Sequence, residues 1–113
     1  MKQVWGAMTA GHVPVRATPV LQYLKPQPQA VIVDATIGTG GHGILIARAM
    51  QFTGLLVAID RDPEMIEIAR RRFAEEGVPE SFVRWIVGSY ADLTEHLAGL
   101  GIKQCDGVLM DLG

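Results

Sequence analysis

Short apolar runs alternate with amphipathic stretches along this chain. Residues 30–35 form an apolar run broken only by Asp34, which reads as a strand buried on both faces. Residues 42–50 carry Ile44, Leu45, Ile46 and Ala47 and predict a helix. Gly54 opens a second strand over 55–59, ending at Asp60. Asp62-Pro63-Glu64 then combines an N-cap, a proline at the first helical position and an acid at the positive end of the helix dipole. Met65, Ile66, Ala69 and Phe73 recur at helical spacing behind it, and Gly77 and Pro79 end the helix. Residues 82–87 predict a third strand. Asp92 and Glu95 form a D-x-x-E variant of the capping box ahead of Leu93, Leu97 and Leu100, with Gly101 just past the helix end. Residues 107–112 predict a fourth strand.

Strand–helix alternation of this kind implies an α/β fold with a parallel sheet and right-handed crossovers, in the order 3-2-1-4. Before the first strand, Thr18-Pro19 starts a short helix that Pro26 and Pro28 stop. Residues 1–17, interrupted by Gly6, Gly11 and Pro14, read as an irregular leader, and residues 18–113 as part of one domain. The chain stops right after its fourth strand, where a doubly wound sheet normally continues, so it reads as the N-terminal part of a longer protein. The fourth strand would then expose an unpaired apolar edge and invite self-association.

The turn between the first strand and the first helix carries the chemistry. Gly38, Gly40 and Gly43 fit the G-x-G-x-x-G pattern that receives a nucleotide cofactor at a βα junction. The glycines alone suggest NAD. Asp34, four residues before the first of them, would repel an anionic pyrophosphate, whereas the sulfonium and ammonium of S-adenosylmethionine are favoured by acids. Strand ends at Asp34, Asp60, Val87 and Asp111 should share the carboxyl edge of the sheet, with the crevice between strands one and four. Asp60 follows Gly38 by 22 residues, the spacing at which an acid reaches a ribose diol, although an Asx-type turn is its plain structural alternative. Gly38, Gly40 and Gly41 let the backbone approach a ligand closely and adopt positive φ, with a plain tight turn as the alternative. His42, at the helix start inside the loop, would line the ligand. Tyr90 offers an aromatic face for the adenine or packs in the core. Asp111 either accepts a hydrogen bond from an amine or caps its loop.

Other classes of chemistry find less support. His12, His42 and His96 lack metal-ligand spacing, and His96 falls on a polar helix face, expected to meet solvent. Cys105, the single cysteine, excludes an internal disulfide and suits a reducing cytoplasm. A nucleophile elbow, a catalytic triad and a Walker A motif are all missing, and so are a secretory signal and an apolar run long enough to cross a bilayer. Ten Lys and Arg face twelve acids, for a net charge of −2, so no broad basic surface is advertised. Two rival functions stay open on the residues alone: an NAD-dependent oxidoreductase, and a non-catalytic module that binds a cofactor or a partner.

Four segments in order carry a resemblance: Gly11-His12-Val13-Pro14-Val15, residues 34–42 (Asp-Ala-Thr-Ile-Gly-Thr-Gly-Gly-His), Asp60-Arg61-Asp62-Pro63, and residues 106–113 (Asp-Gly-Val-Leu-Met-Asp-Leu-Gly). Together they closely resemble the N-terminal part of the small-subunit ribosomal RNA cytosine-N4 methyltransferases, the RsmH or MraW family. The resemblance implies a Rossmann-like class I S-adenosylmethionine-dependent methyltransferase fold, with methyl transfer to N4 of a cytidine in 16S ribosomal RNA within the small subunit. By position it puts cofactor contacts on Gly40, Gly41, His42, Asp60, Tyr90 and Asp111. Tyr90 stands where the family usually has Phe, which keeps the aromatic face. The family continues beyond Gly113 into the rest of the acceptor pocket, so residues 1–113 alone are expected to transfer no methyl group.

Overall fold

The computed structural model describes residues 26–110. The leader, the helix expected from Thr18, and Asp111 lie outside the described residues. Four strands, β1 (Val31–Asp34), β2 (Leu55–Asp60), β3 (Val83–Val87) and β4 (Gly107–Leu109), form one sheet in the order β3-β2-β1-β4. Every pairing is parallel, with Val33 beside Val57 and Val108, and Ala58 beside Trp85. The expected strand order and alternation are therefore present. Helices α1 (Gly41–Ala49), α2 (Pro63–Glu75) and α3 (Leu93–Gly99) provide the crossovers.

Alternation along the strands sorts the core into two layers. Ile32, Leu56, Ala58, Val83 and Leu109 pack with Ile44, Ala47, Ile66, Ala69 and Phe73 of α1 and α2. On the opposite face Val33, Val57, Ile59 and Val108 pack with Leu97 of α3 and with Cys105. Period-2 side chains explain why both faces of these strands are apolar, as a parallel sheet covered on two sides requires.

Helix ends follow local chemistry. Asp62 caps α2 by accepting from Glu64 N at 2.9 Å, with Pro63 behind it. At the far end of α3, Gly101 (φ +74°) closes a Schellman turn: Ile102 N donates to Leu97 O at 2.9 Å and Gly101 N to Ala98 O at 3.0 Å. Two sequence expectations fail locally. Residues 80–82 form a 3-10 turn, so the third strand begins at Val83. The D-x-x-E box does not form either. A 3-10 turn (Tyr90–Asp92) precedes α3, Ser89 Oγ caps it by accepting from Ala91 N at 3.1 Å, and the Asp92 side chain makes no cap bond.

Candidate cofactor site

The glycine loop leaves β1 through Asp34, which is 1% exposed. Its Oδ1 accepts from Thr36 N at 3.1 Å. Asp34, expected to repel a pyrophosphate and favour a positively charged cofactor, is thus buried with Oδ1 bonded in its own turn, and it stands in the sheet beside Ala58 on one side and Leu109 on the other. Further along the loop, Ile37 N donates to Ile59 O and Gly40 N to Ile37 O, both at 2.9 Å.

Asp60 ends β2 and does two jobs at once. Oδ2 accepts from Gly38 N and Oδ1 from Asp62 N, each at 3.0 Å. The Asx-type turn weighed against the ribose role is therefore real, and Asp62 caps the helix beside it rather than replacing it. A carboxylate offers about four lone-pair sites, so two bonds leave capacity for a diol. The Asp60 carbonyl accepts in addition from Gly88 N at 2.9 Å, which draws the loop after β3 to the same edge. Tyr90 follows on that loop and is 37% exposed, a surface aromatic rather than a core one. Glycine loop, Asp60 and Tyr90 loop thus meet through one residue's hydrogen bonds.

The glycines divide by what surrounds them. Among the described residues a Cβ on Gly38 (φ +54°) would meet nothing within 4 Å, and one on Gly41 only the Arg72 guanidinium at 3.8 Å. Gly40 (φ +93°) is buried, and its Cβ would sit 3.0 Å from Phe73 Cε1 and 3.3 Å from Ala69 Cβ. Gly43 is tighter still, at 2.6 Å from Ile37 Cδ1 and 2.9 Å from Phe73 Cζ. The positive φ expected in this loop is present at Gly38 and Gly40 but not at Gly41, and at Gly40 the packing of α2 leaves little room for a side chain as well. His42, half-buried, lines with Gly41 a groove of about 320 Å³ between α1 and α2, whose walls include Leu45, Arg48, Arg72 and Glu76.

His96 was missed. It was expected in solvent but is half-buried, with Nε2 3.1 Å from Ser89 O and its ring against Gly88. The signal was the glycine at 88, which leaves room for a ring eight residues ahead. Cys105 offers no nucleophile at this edge. It is 3% exposed beneath the α3 layer, and burial pushes its thiol pKa up, with the Asp106 charge adding to the rise. Among the described residues no group of three His, Cys, Asp or Glu could hold a metal ion, and no helix is long and apolar enough to cross a membrane.

A pyrophosphate needs free loop N–H groups and a positive field. Here the N–H groups of Thr36, Ile37, Gly38 and Gly40 bond to protein acceptors, and carboxylates take two of them. The first-turn N–H groups of α1 remain for an anionic group of either ligand, so it is the carboxylates of Asp34 and Asp60 at the loop that favour a cofactor carrying positive charge and a ribose over a dinucleotide.

With an all-parallel β3-β2-β1-β4 sheet, a glycine loop after β1 and an acid closing β2, the domain has the Rossmann-like fold of the S-adenosylmethionine-dependent methyltransferases. The SAM-dependent O-methyltransferase of Thermotoga maritima matches it with a TM-score of 0.63, over 77% of this chain and 34% of that one; at 18% identity the likeness is one of fold. The chain belongs to the MraW methylase family, whose model matches residues 9–113. Ribosomal RNA small subunit methyltransferase H of Geobacter sulfurreducens is 43% identical over 106 residues, which cover 94% of this chain and 33% of that protein. Its namesake from Syntrophotalea carbinolica is 46% identical over 102 residues, covering 90% and 32%. The chain spans about a third of the length of the curated relatives it matches.

Proposed function

We propose that this chain is the cofactor-binding part of an S-adenosylmethionine-dependent methyltransferase that modifies N4 of a cytidine in the 16S ribosomal RNA of the small subunit. One observation carries the cofactor assignment: Asp60 binds Gly38 N through its carboxylate and Gly88 N through its carbonyl, so an acid sits between the glycine loop and Tyr90. Asp60 would hold the ribose hydroxyls, Tyr90 the face of the adenine, and Gly40, Gly41 and His42 the methionine end. The first turn of α1 contains no acidic residue and no side-chain cap, so its N–H groups and dipole suit the cofactor's carboxylate. Asp111 would lie at the methyl-transfer position, as the family resemblance implies.

When bound, S-adenosylmethionine supplies an electrophilic methyl group on a sulfonium. Cytosine N4 is a weak nucleophile because its lone pair is delocalised into the ring. The protein's task is therefore to take the base out of its stack and align N4 with the methyl. An acceptor such as the Asp111 carboxylate would hydrogen-bond the amine as the nitrogen rehybridises. The ribosomal RNA acceptor rests on the family and on the names of the relatives.

Isothermal titration of the whole chain with S-adenosylmethionine, S-adenosylhomocysteine and NADH tests the cofactor reading. Heat with the first two and none with NADH is expected; binding of NADH, or silence with all three, overturns it. Because residues 1–113 alone are expected to transfer no methyl group, the acceptor is tested with a chain of the relatives' full length that carries these residues, by nucleoside analysis of RNA labelled from tritiated cofactor, where label on any nucleoside other than an N4-methylated cytidine overturns the N4 assignment.

A further inference from the structure

Tyr90 stands on the short loop that follows β3, and three contacts help to fix it. Gly88 N donates to Asp60 O at 2.9 Å, and Ser89 Oγ caps the turn by accepting from Ala91 N at 3.1 Å. The third contact comes from α3. His96 Nε2 lies 3.1 Å from Ser89 O, which also accepts from Asp92 N at 3.1 Å, so both lone pairs of that carbonyl are engaged. A carbonyl oxygen only accepts, so Nε2 carries the proton in this bond. The imidazole lies where a Cβ on Gly88 would come within 2.7 Å of both Cε1 and Nε2, so the ring occupies the space the glycine leaves. The next residue, Leu97, is buried in the layer with Val33, Val57 and Ile59. Helix α3 is thereby anchored to the sheet, and the imidazole transmits that anchorage to the loop.

We propose that His96 is a positioning residue for the cofactor's adenosine: through Ser89 O and the Gly88 backbone it holds the Tyr90 loop against the end of β2. This rests on the cofactor reading above. The imidazole itself touches the loop and not the ligand. Losing it frees one lone pair of Ser89 O to water and opens a ring-sized gap beneath Gly88, so the loop must be ordered at the expense of binding.

Dissociation constants of S-adenosylhomocysteine and of adenosine, measured on the whole chain and its variants together with melting temperatures, test the inference. His96→Ala should weaken both ligands by the same factor, about three- to tenfold, the range for one lost neutral hydrogen bond. His96→Gln, whose amide can donate to Ser89 O, should recover most of that loss, whereas His96→Leu, which fills space without a donor, should not. Gly88→Ala should reproduce the His96→Ala loss by displacing the ring, and the double variant should be no worse than either single one. Unchanged affinities in His96→Ala would overturn the inference. Equal losses in the Gln and Leu variants that follow the melting temperature would overturn it too, because they mark plain packing. If the unaltered chain binds neither ligand, the cofactor reading falls first, and that result is distinct from binding that survives the loss of His96.

Discussion

Gly38 and Gly43 stand five residues apart, one in the loop and one in the first turn of α1, and belong to one sequence pattern, but their surroundings are opposite. Among the described residues nothing comes near a Cβ on Gly38, whose φ is +54°. Around Gly43 there is no room: a methyl group would overlap Ile37 and Phe73 in the core. Gly41 sides with the first and Gly40 with the second. A G-x-G-x-x-G pattern therefore mixes room for a ligand with close helix packing, and counting its glycines does not say which is which. The environment of each Cβ does.

Gly43→Val should break the packed half outright. Overpacking of this kind costs about 1–3 kcal/mol and more where the neighbours are held as Phe73 is, so urea denaturation should show the largest stability loss of any single change in the loop. A native-like midpoint in that variant would put Gly43 on the open side with Gly38. Asp60→Ala tests the open half. It should weaken S-adenosylhomocysteine binding by about 1.5–3 kcal/mol, the range for hydrogen bonds to a charged group. Because the carboxylate also binds Gly38 N and Asp62 N, the melting temperature should fall with it. An unchanged dissociation constant would remove Asp60 from the site. The smallest effect sharpens the contrast most. Gly41→Ala, with only Arg72 within reach, should leave stability within about 0.5 kcal/mol, as surface changes usually do, while titration calorimetry records weaker cofactor binding.

The architecture was legible because it depends on local periodicity. The four strands apart from their ends, the Asp62-Pro63 start and the Gly101 stop read correctly, the third strand beginning at Val83 and the fourth ending at Leu109, and the order 3-2-1-4 follows from right-handed crossovers. The third helix was less transparent. Both Ser89 and Asp92 are good caps, and the 3-10 turn that selects Ser89 is decided by how the loop leaves β3. At the site, Asp60 was found from its spacing, but its bonds to Gly38 and Gly88 are tertiary and leave no periodic trace. Asp34 stands out in the sequence by its charge, whereas its burial and its bond from Thr36 N arise only in the folded turn. His96 went unseen because helical periodicity assigns it to the polar side, while its partner is a loop rather than the sheet.

Phe73 lies under Gly40 and Gly43 and meets Trp85 edge to face, with ring centroids 4.9 Å apart and planes at 74°. One benzene ring thus joins the loop's backbone to an indole on β3, whose buried Nε1 has no hydrogen-bond partner among the described residues. Indole emission responds to small changes in its surroundings, so the packing that excludes side chains from the loop also equips the domain with an internal optical probe. Settling of the loop around a ligand would shift Phe73 against that chromophore, and with Trp5 replaced, occupancy of the proposed site would be readable as light without any label.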